Sequence, residues 1–237
     1  MKNNLLEYLS KSSLSAKKQH KEGIFLSNIY IFIKDHIIGD VNLDSVLKKV
    51  KNSIPIHLFN GLDAIYVGQF KELQQKEVNA AFMDGALYIS NIQQDEESML
   101  EDIIHEIAHS LEEQSSFSVY QDDSIYDEFL AKRLKLQKIL ESNGYNTSKQ
   151  NFTNLEYSQK FDKYLYEEIG YPALHTMTVN LFCSPYGATS MREYFANGFE
   201  FYFVKNKKLV KTVSPQLYKK LIEVEKGDFS SEEEGSY

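Results

Sequence analysis

The chain is 237 residues long, with no tryptophan and a single cysteine, Cys183. One cysteine excludes an internal disulfide, so the fold must close without covalent help. Long apolar runs are missing too. Near the start the longest is Ile29–Ile33, far short of the roughly 20 residues that a membrane-spanning helix needs. Residues 1–20 are too polar for the apolar stretch of a secretory signal. The expectation is a soluble chain with no membrane span and no visible signal peptide, cytoplasmic or delivered and secreted by an unconventional route. An excess of positive charge is also lacking. Net charge is -8; residues 1–22 are basic and residues 226–237 acidic, so the body between them is itself acidic. That balance argues against a nucleic-acid partner.

What is present fits an ordinary globular protein. Hydrophobic residues make up 42% and charged residues 25%, and the length suits one large domain with a modest appendage. The reading is an N-terminal arm over 1–22, one domain over 23–225 and a disordered acidic tail over 226–237. Ile24–Ile37 is compatible with helix or strand. Leu43–Ile54 reads as a helix stopped by Pro55. Ile56–Phe59 and Ala64–Phe70 read as strands around Asn60-Gly61. Ala80–Met83 and Ala86–Ser90 flank Asp84-Gly85, a hairpin signal. Helices follow near 97–114, 125–142, 158–168, 172–182, 191–205 and 215–225. The fold class expected is therefore α+β, a small mixed sheet followed by a mostly helical half.

The segment His105-Glu106-Ile107-Ala108-His109 matches H-E-x-x-H. Residues four apart on a helix share a face, so both imidazoles can reach one ion. Zinc accepts neutral imidazole nitrogen and keeps a coordination position open in catalytic sites. Glu106, between the two histidines, stands where a base would take a proton from water. Leu100, Ile103, Ile104, Ile107, Ala108 and Leu111 fall at helical spacing and form a core-facing stripe. His105 and His109 fall on the other side, where Glu101, Asp102 and Glu112 also lie. The competing reading of that side is a solvated polar face.

A zinc site needs a third ligand, and two candidates compete. Glu128 lies nineteen residues after His109 and also reads as an exposed acid in the first turn of a helix. Glu193 follows Ser190 by three residues, which also reads as a capping box.

The segment Tyr186–Glu200, with Glu193-Tyr194-Phe195-Ala196 and with Tyr186 seven residues before Glu193, resembles the C-terminal domain of anthrax lethal factor and the Pro-Pro endopeptidases. Strands at Ala64–Phe70 and Asn79–Asn91 are similar to those preceding the active-site helix there. The resemblance spans about Val41 to Glu225. It implies a zincin-like fold, one Zn2+ per chain held by His105, His109 and Glu193, Glu106 as general base, and Tyr186 as donor to the oxyanion. It implies a metalloendopeptidase acting on a peptide or protein substrate, in the manner of a toxin or effector. His109 and Glu193 are further apart in sequence than in lethal factor, so residues 115–157 read as an insertion, one that contains Glu128. The alternatives are a glutamate-zincin using Glu128, or a zincin-fold binding module without catalysis. Ala86–Ser90 reads either as the edge strand that would pair with a peptide or as a surface hairpin.

Other candidates carry less. Cys183 has no signature linking it to a histidine base and reads as buried packing. His175 has no motif around it, and His20, His36 and His57 have none either. Asp102 reads as a solvated acid more readily than as an orienting partner of an imidazole.

Overall fold

A computed structural model describes residues 21–26 and 28–227. The arm expected over 1–22 lies outside the described residues except for its last two positions, and so does the tail after 227. The described chain forms two compact units, residues 21–52 with 59–110, and residues 53–58 with 111–227. The first is α+β and the second is helical.

In the first unit, alternating apolar residues build a five-stranded mixed sheet of order β1-β2-β3-β5-β4. The strands are β1 (Lys21–Leu26), β2 (Ile29–Ile33), β3 (Ala64–Gly68), β4 (Ala80–Met83) and β5 (Ala86–Ser90). The Ile24–Ile37 region, open between helix and strand by pattern, thus supplies a hairpin. Strands β2, β3 and β5 run parallel, while β1 and β4 close the two sides antiparallel. Ile29, Ile65, Val67, Leu87 and Ile89 are buried on one face. On the other, Phe32, Tyr66 and Tyr88 share one register line and stack ring on ring. The β4–β5 turn places Asp84 at φ 49° and Gly85 at φ 76°, both left-handed, as a tight hairpin with matching twist requires. Helices α1 (Leu43–Ser53) and α2 (Lys71–Lys76) bridge the parallel strands, and α3 (Glu96–Tyr120) leaves the sheet. The short α2 has no clear sequence signal.

Ile56–Phe59, expected as a strand, is a single 3-10 turn. Leu58 N–H bonds to Pro55 O at 3.1 Å, so the backbone is satisfied locally and needs no partner strand.

In the second unit the helices are α4 (Ser124–Ser142), α5 (Gln159–Lys163), α6 (Tyr171–Met177), α7 (Met191–Glu200), α8 (Lys207–Val213) and α9 (Pro215–Lys226), giving nine among the described residues. Wider π turns extend α5 over Tyr164–Ile169 and α7 over Phe201–Lys205. The helix expected to run from 172 to 182 stops at Met177. Leu181 N–H turns back to Thr178 O at 2.9 Å and Asn180 takes φ 62°, which no helix continues through. No helix among the described residues is long and apolar enough to cross a membrane.

The buried face of α4 is not purely apolar. Ile125, Phe129, Leu136 and Leu140 share it with Lys132 and Arg133. Lys132 lies one turn after Glu128, and the two serve the junction where α8 ends and α9 begins. Lys132 Nζ donates to Val213 O at 2.8 Å and to Ser214 Oγ at 2.7 Å. Glu128 accepts from Gln216 N at 2.9 Å and Leu217 N at 3.2 Å. A cation thus meets a helix C-terminus and an anion meets a helix N-terminus, the favourable sense for both dipoles. Helix α9 approaches closely here: a Cβ on Gly198 would stand 2.2 Å from Leu217 Cδ2.

Burial pulls the Lys132 amine down to about 8 from an ordinary 10.5. Between those values the unfolded chain binds more protons, so this group makes stability rise with pH. Lys132→Met is expected to flatten that rise, read as the difference from wild type in urea unfolding at pH 7 to 10. Identical pH slopes in the two proteins would refute the assignment.

Candidate metal centre

Helix α3 begins where Asp95 Oδ1 accepts Ser98 N–H at 2.7 Å, an N-cap with a carboxylate at the positive helix end. Glu96 in the first turn accepts Lys49 Nζ at 2.7 Å and Ser45 Oγ at 3.0 Å, tying α3 to α1. Ile103, Ile104, Ile107 and Ala108 are fully buried, so the apolar stripe is withdrawn from water. His105, Glu106 and His109 lie off that stripe and are half-buried. The two imidazole rings stand edge to face with centroids 5.0 Å apart.

Glu106 Oε2 accepts the Phe82 N–H of β4 at 2.8 Å, which anchors the carboxylate to the sheet edge. That edge is β4. Strand β5, Ala86–Ser90, is paired on both sides, by β3 and by β4, so it cannot offer a free ladder to a peptide. The hairpin explains the difference. Its second strand returns into the sheet beside β3 and leaves the first outside.

Glu193 sits in the first turn of α7, whose N-cap Ser190 accepts Glu193 N–H through Oγ at 3.2 Å. His105, His109 and Glu193 each offer one ligand atom, and these atoms lie within 4.8 Å of one another. Two imidazoles and one carboxylate form a donor set suited to catalytic zinc. Tetrahedral ligands at about 2.1 Å from an ion stand about 3.4 Å apart. By identity and grouping, the three residues could hold such an ion.

Glu128 is engaged elsewhere. Beyond the two α9 amides it accepts the Tyr194 hydroxyl at 2.8 Å, so its carboxylate serves helix packing. Tyr186 opens a 3-10 turn, Tyr186–Ala188, before α7. Burial, and then the nearby Glu193 carboxylate, hold its phenol well above the usual range, so it stays a hydrogen-bond donor at neutral pH. Asp162 lies nearby, accepting from Tyr157 at 3.0 Å and Tyr171 at 3.4 Å. Nothing in the local sequence singles out that trio.

The competing reading of a solvated polar face does not hold at Glu112, whose carboxylate is buried, 4% exposed. It accepts Arg192 Nε at 3.0 Å and also the Tyr120 hydroxyl. This bond joins the last third of α3 to the residue beside Glu193. Cys183 is buried and its thiol is pushed up to about 11, chiefly by that burial, which leaves no thiolate for nucleophilic chemistry. His57 faces Val224 O at 3.0 Å, and His36 and His175 are exposed. His20 lies outside the described residues. Asp102 is half-buried on α3.

Comparisons of the chain with protein-family models, with curated proteins and with solved structures find no match.

The Glu112–Arg192 pair generates a prediction. Glu112→Gln is expected to lower the unfolding free energy by about 1.5–3 kcal/mol, the range for hydrogen bonds to charged groups. In a double-mutant cycle with Arg192→Ala the effects should be non-additive. Strict additivity in urea unfolding would show that the pair carries no coupling.

Proposed function

We propose that this chain is a zinc metalloendopeptidase of the lethal factor and Pro-Pro endopeptidase type, acting on a peptide or protein substrate. The convergence of His105, His109 and Glu193 carries the reading. These three residues would hold one Zn2+, with both imidazoles neutral and Glu193 ionised. The ion supplies Lewis acidity at the scissile carbonyl and makes water a stronger acid.

The remaining steps belong to the chain's own groups. Glu106, one residue after His105 and anchored through Oε2 to the Phe82 amide, takes a proton from the attacking water. It then delivers that proton to the leaving amine nitrogen. Tyr186, held protonated, donates its hydroxyl to the developing oxyanion. Engagement of Glu128 with Tyr194 and the α9 amides supports Glu193 as the carboxylate ligand over Glu128. The intact Glu106 and Tyr186 support catalysis over a binding role alone, since a non-catalytic module needs neither.

The test counts zinc per chain and measures cleavage of a peptide library. Wild type should carry one zinc. Glu193→Ala should lose more than about 100-fold in zinc affinity, beyond the 10–100-fold that a residue supporting a ligand costs, while Glu128→Ala keeps the metal. Glu106→Gln should retain zinc and lose about 10²–10⁴-fold in kcat. Full zinc occupancy in Glu193→Ala would overturn the ligand set, and undiminished cleavage by Glu106→Gln would overturn the mechanism.

A further inference from the structure

Arg133 on α4 is 1% exposed, the largest fully buried side chain in the described structure. Its partners are all neutral. Nη1 donates to Ala188 O and to Thr189 O, both at 3.1 Å. Nη2 donates to Asn151 O at 3.1 Å and Asn154 O at 3.2 Å. The guanidinium lies over the Phe161 ring, 3.8 Å from its centroid. Its Nε has no acceptor among the described residues. Burial lowers its pKa only to about 10, so the side chain stays charged at neutral pH.

A buried cation with carbonyls and aromatic rings but no counter-ion is an expensive way to fill a core. Replacing such groups by apolar side chains of similar volume is often neutral or stabilising. The location of its acceptors gives Arg133 a role beyond filling the core.

Ala188 and Thr189 lie between Tyr186 and Glu193. The same segment is closed locally at both ends. Thr189 donates to Tyr186 O through N at 3.0 Å and through Oγ1 at 2.8 Å. Ser190 Oγ accepts Glu193 N–H at 3.2 Å, and Met191 N–H reaches Leu155 O at 2.8 Å. The fork of Arg133 grips the middle of this stretch and, with its other nitrogen, the 151–154 turn beside Leu155. A planar guanidinium holds two pairs of acceptors at fixed angles, which a lysine ammonium cannot do.

We infer that Arg133 is a positioning residue for the peptidase site, clamping the 186–193 segment so that Tyr186 and Glu193 keep one mutual orientation. This rests on the zinc peptidase reading above. It also gives residues 115–157 a purpose, because α4 brings the clamp to the segment.

Arg133→Lys and Arg133→Met test this through zinc affinity by chelator competition, thermal midpoint, and kcat and KM on a cleaved peptide. The expected result is a folded protein whose thermal midpoint falls less in Arg133→Lys than in Arg133→Met, which leaves the four carbonyls without a donor. Zinc affinity should fall about 10–100-fold, as for residues that support a ligand, and kcat should fall with KM little changed. In the Tyr186→Phe background the Arg133→Lys loss in kcat should shrink, because the two changes disable the same group. Wild-type zinc affinity and kcat in a folded Arg133→Lys would overturn the inference while leaving the peptidase reading intact. Failure of both variants to fold would overturn it too, by making Arg133 a stability residue. A wild-type protein that binds no zinc would sink the peptidase reading, and this inference with it.

Discussion

The arrangement depends first on the burial of one side of α3. Ile103, Ile104, Ile107 and Ala108 are wholly withdrawn from water, each isoleucine contributing about 1.5–3 kcal/mol. A helix with 3.6 residues per turn cannot turn that stripe inward without turning His105, Glu106 and His109 away from it. The side of α3 on which the two histidines stand is thus a by-product of hydrophobic patterning. Asp95 caps the helix start and Glu96 ties it to α1.

Polar groups take over where the chain must bring distant segments together. Glu112 links α3 to α7, Glu128 and Lys132 join α4 to the α8–α9 junction, and Arg133 ties α4 to two loops. All four are charged and largely withdrawn from solvent, and each meets the opposite partial charge of a backbone or a counter-ion. Such groups are costly when left alone and directional when satisfied. The apolar core brings the helices together, and these contacts then select their register.

This division explains what was legible in the sequence. The HEIAH helix, the Asp84-Gly85 hairpin and the positions of α4, α7 and α9 follow from patterns within a few residues, and the sequence shows them. Where the backbone had a local alternative, pattern misled: Ile56–Phe59 closes its own turn, and the chain after Met177 bends at Asn180. Strand order was not legible either, because which of two hairpin strands lies outside depends on a pairing with β3. The roles of Glu112 and Glu128 were hidden for the same reason. Each reads as a helix-surface acid until residues about eighty to ninety positions away come beside it. For Glu193, local pattern left the choice open, and only the resemblance of Tyr186–Glu200 to the lethal factor family suggested it.

Gly198 shows how far a small local choice can reach. A glycine inside a helix costs about 1 kcal/mol against alanine, and here it leaves room for Leu217, whose Cδ2 would otherwise meet a methyl carbon at 2.2 Å. Leu217 in turn presents one of the amides that occupy Glu128. A hydrogen atom in place of a methyl group on one helix therefore helps decide what a carboxylate on another is free to bind. Two acids stood as rivals for one role, and part of what separates them is an empty volume no larger than a single carbon.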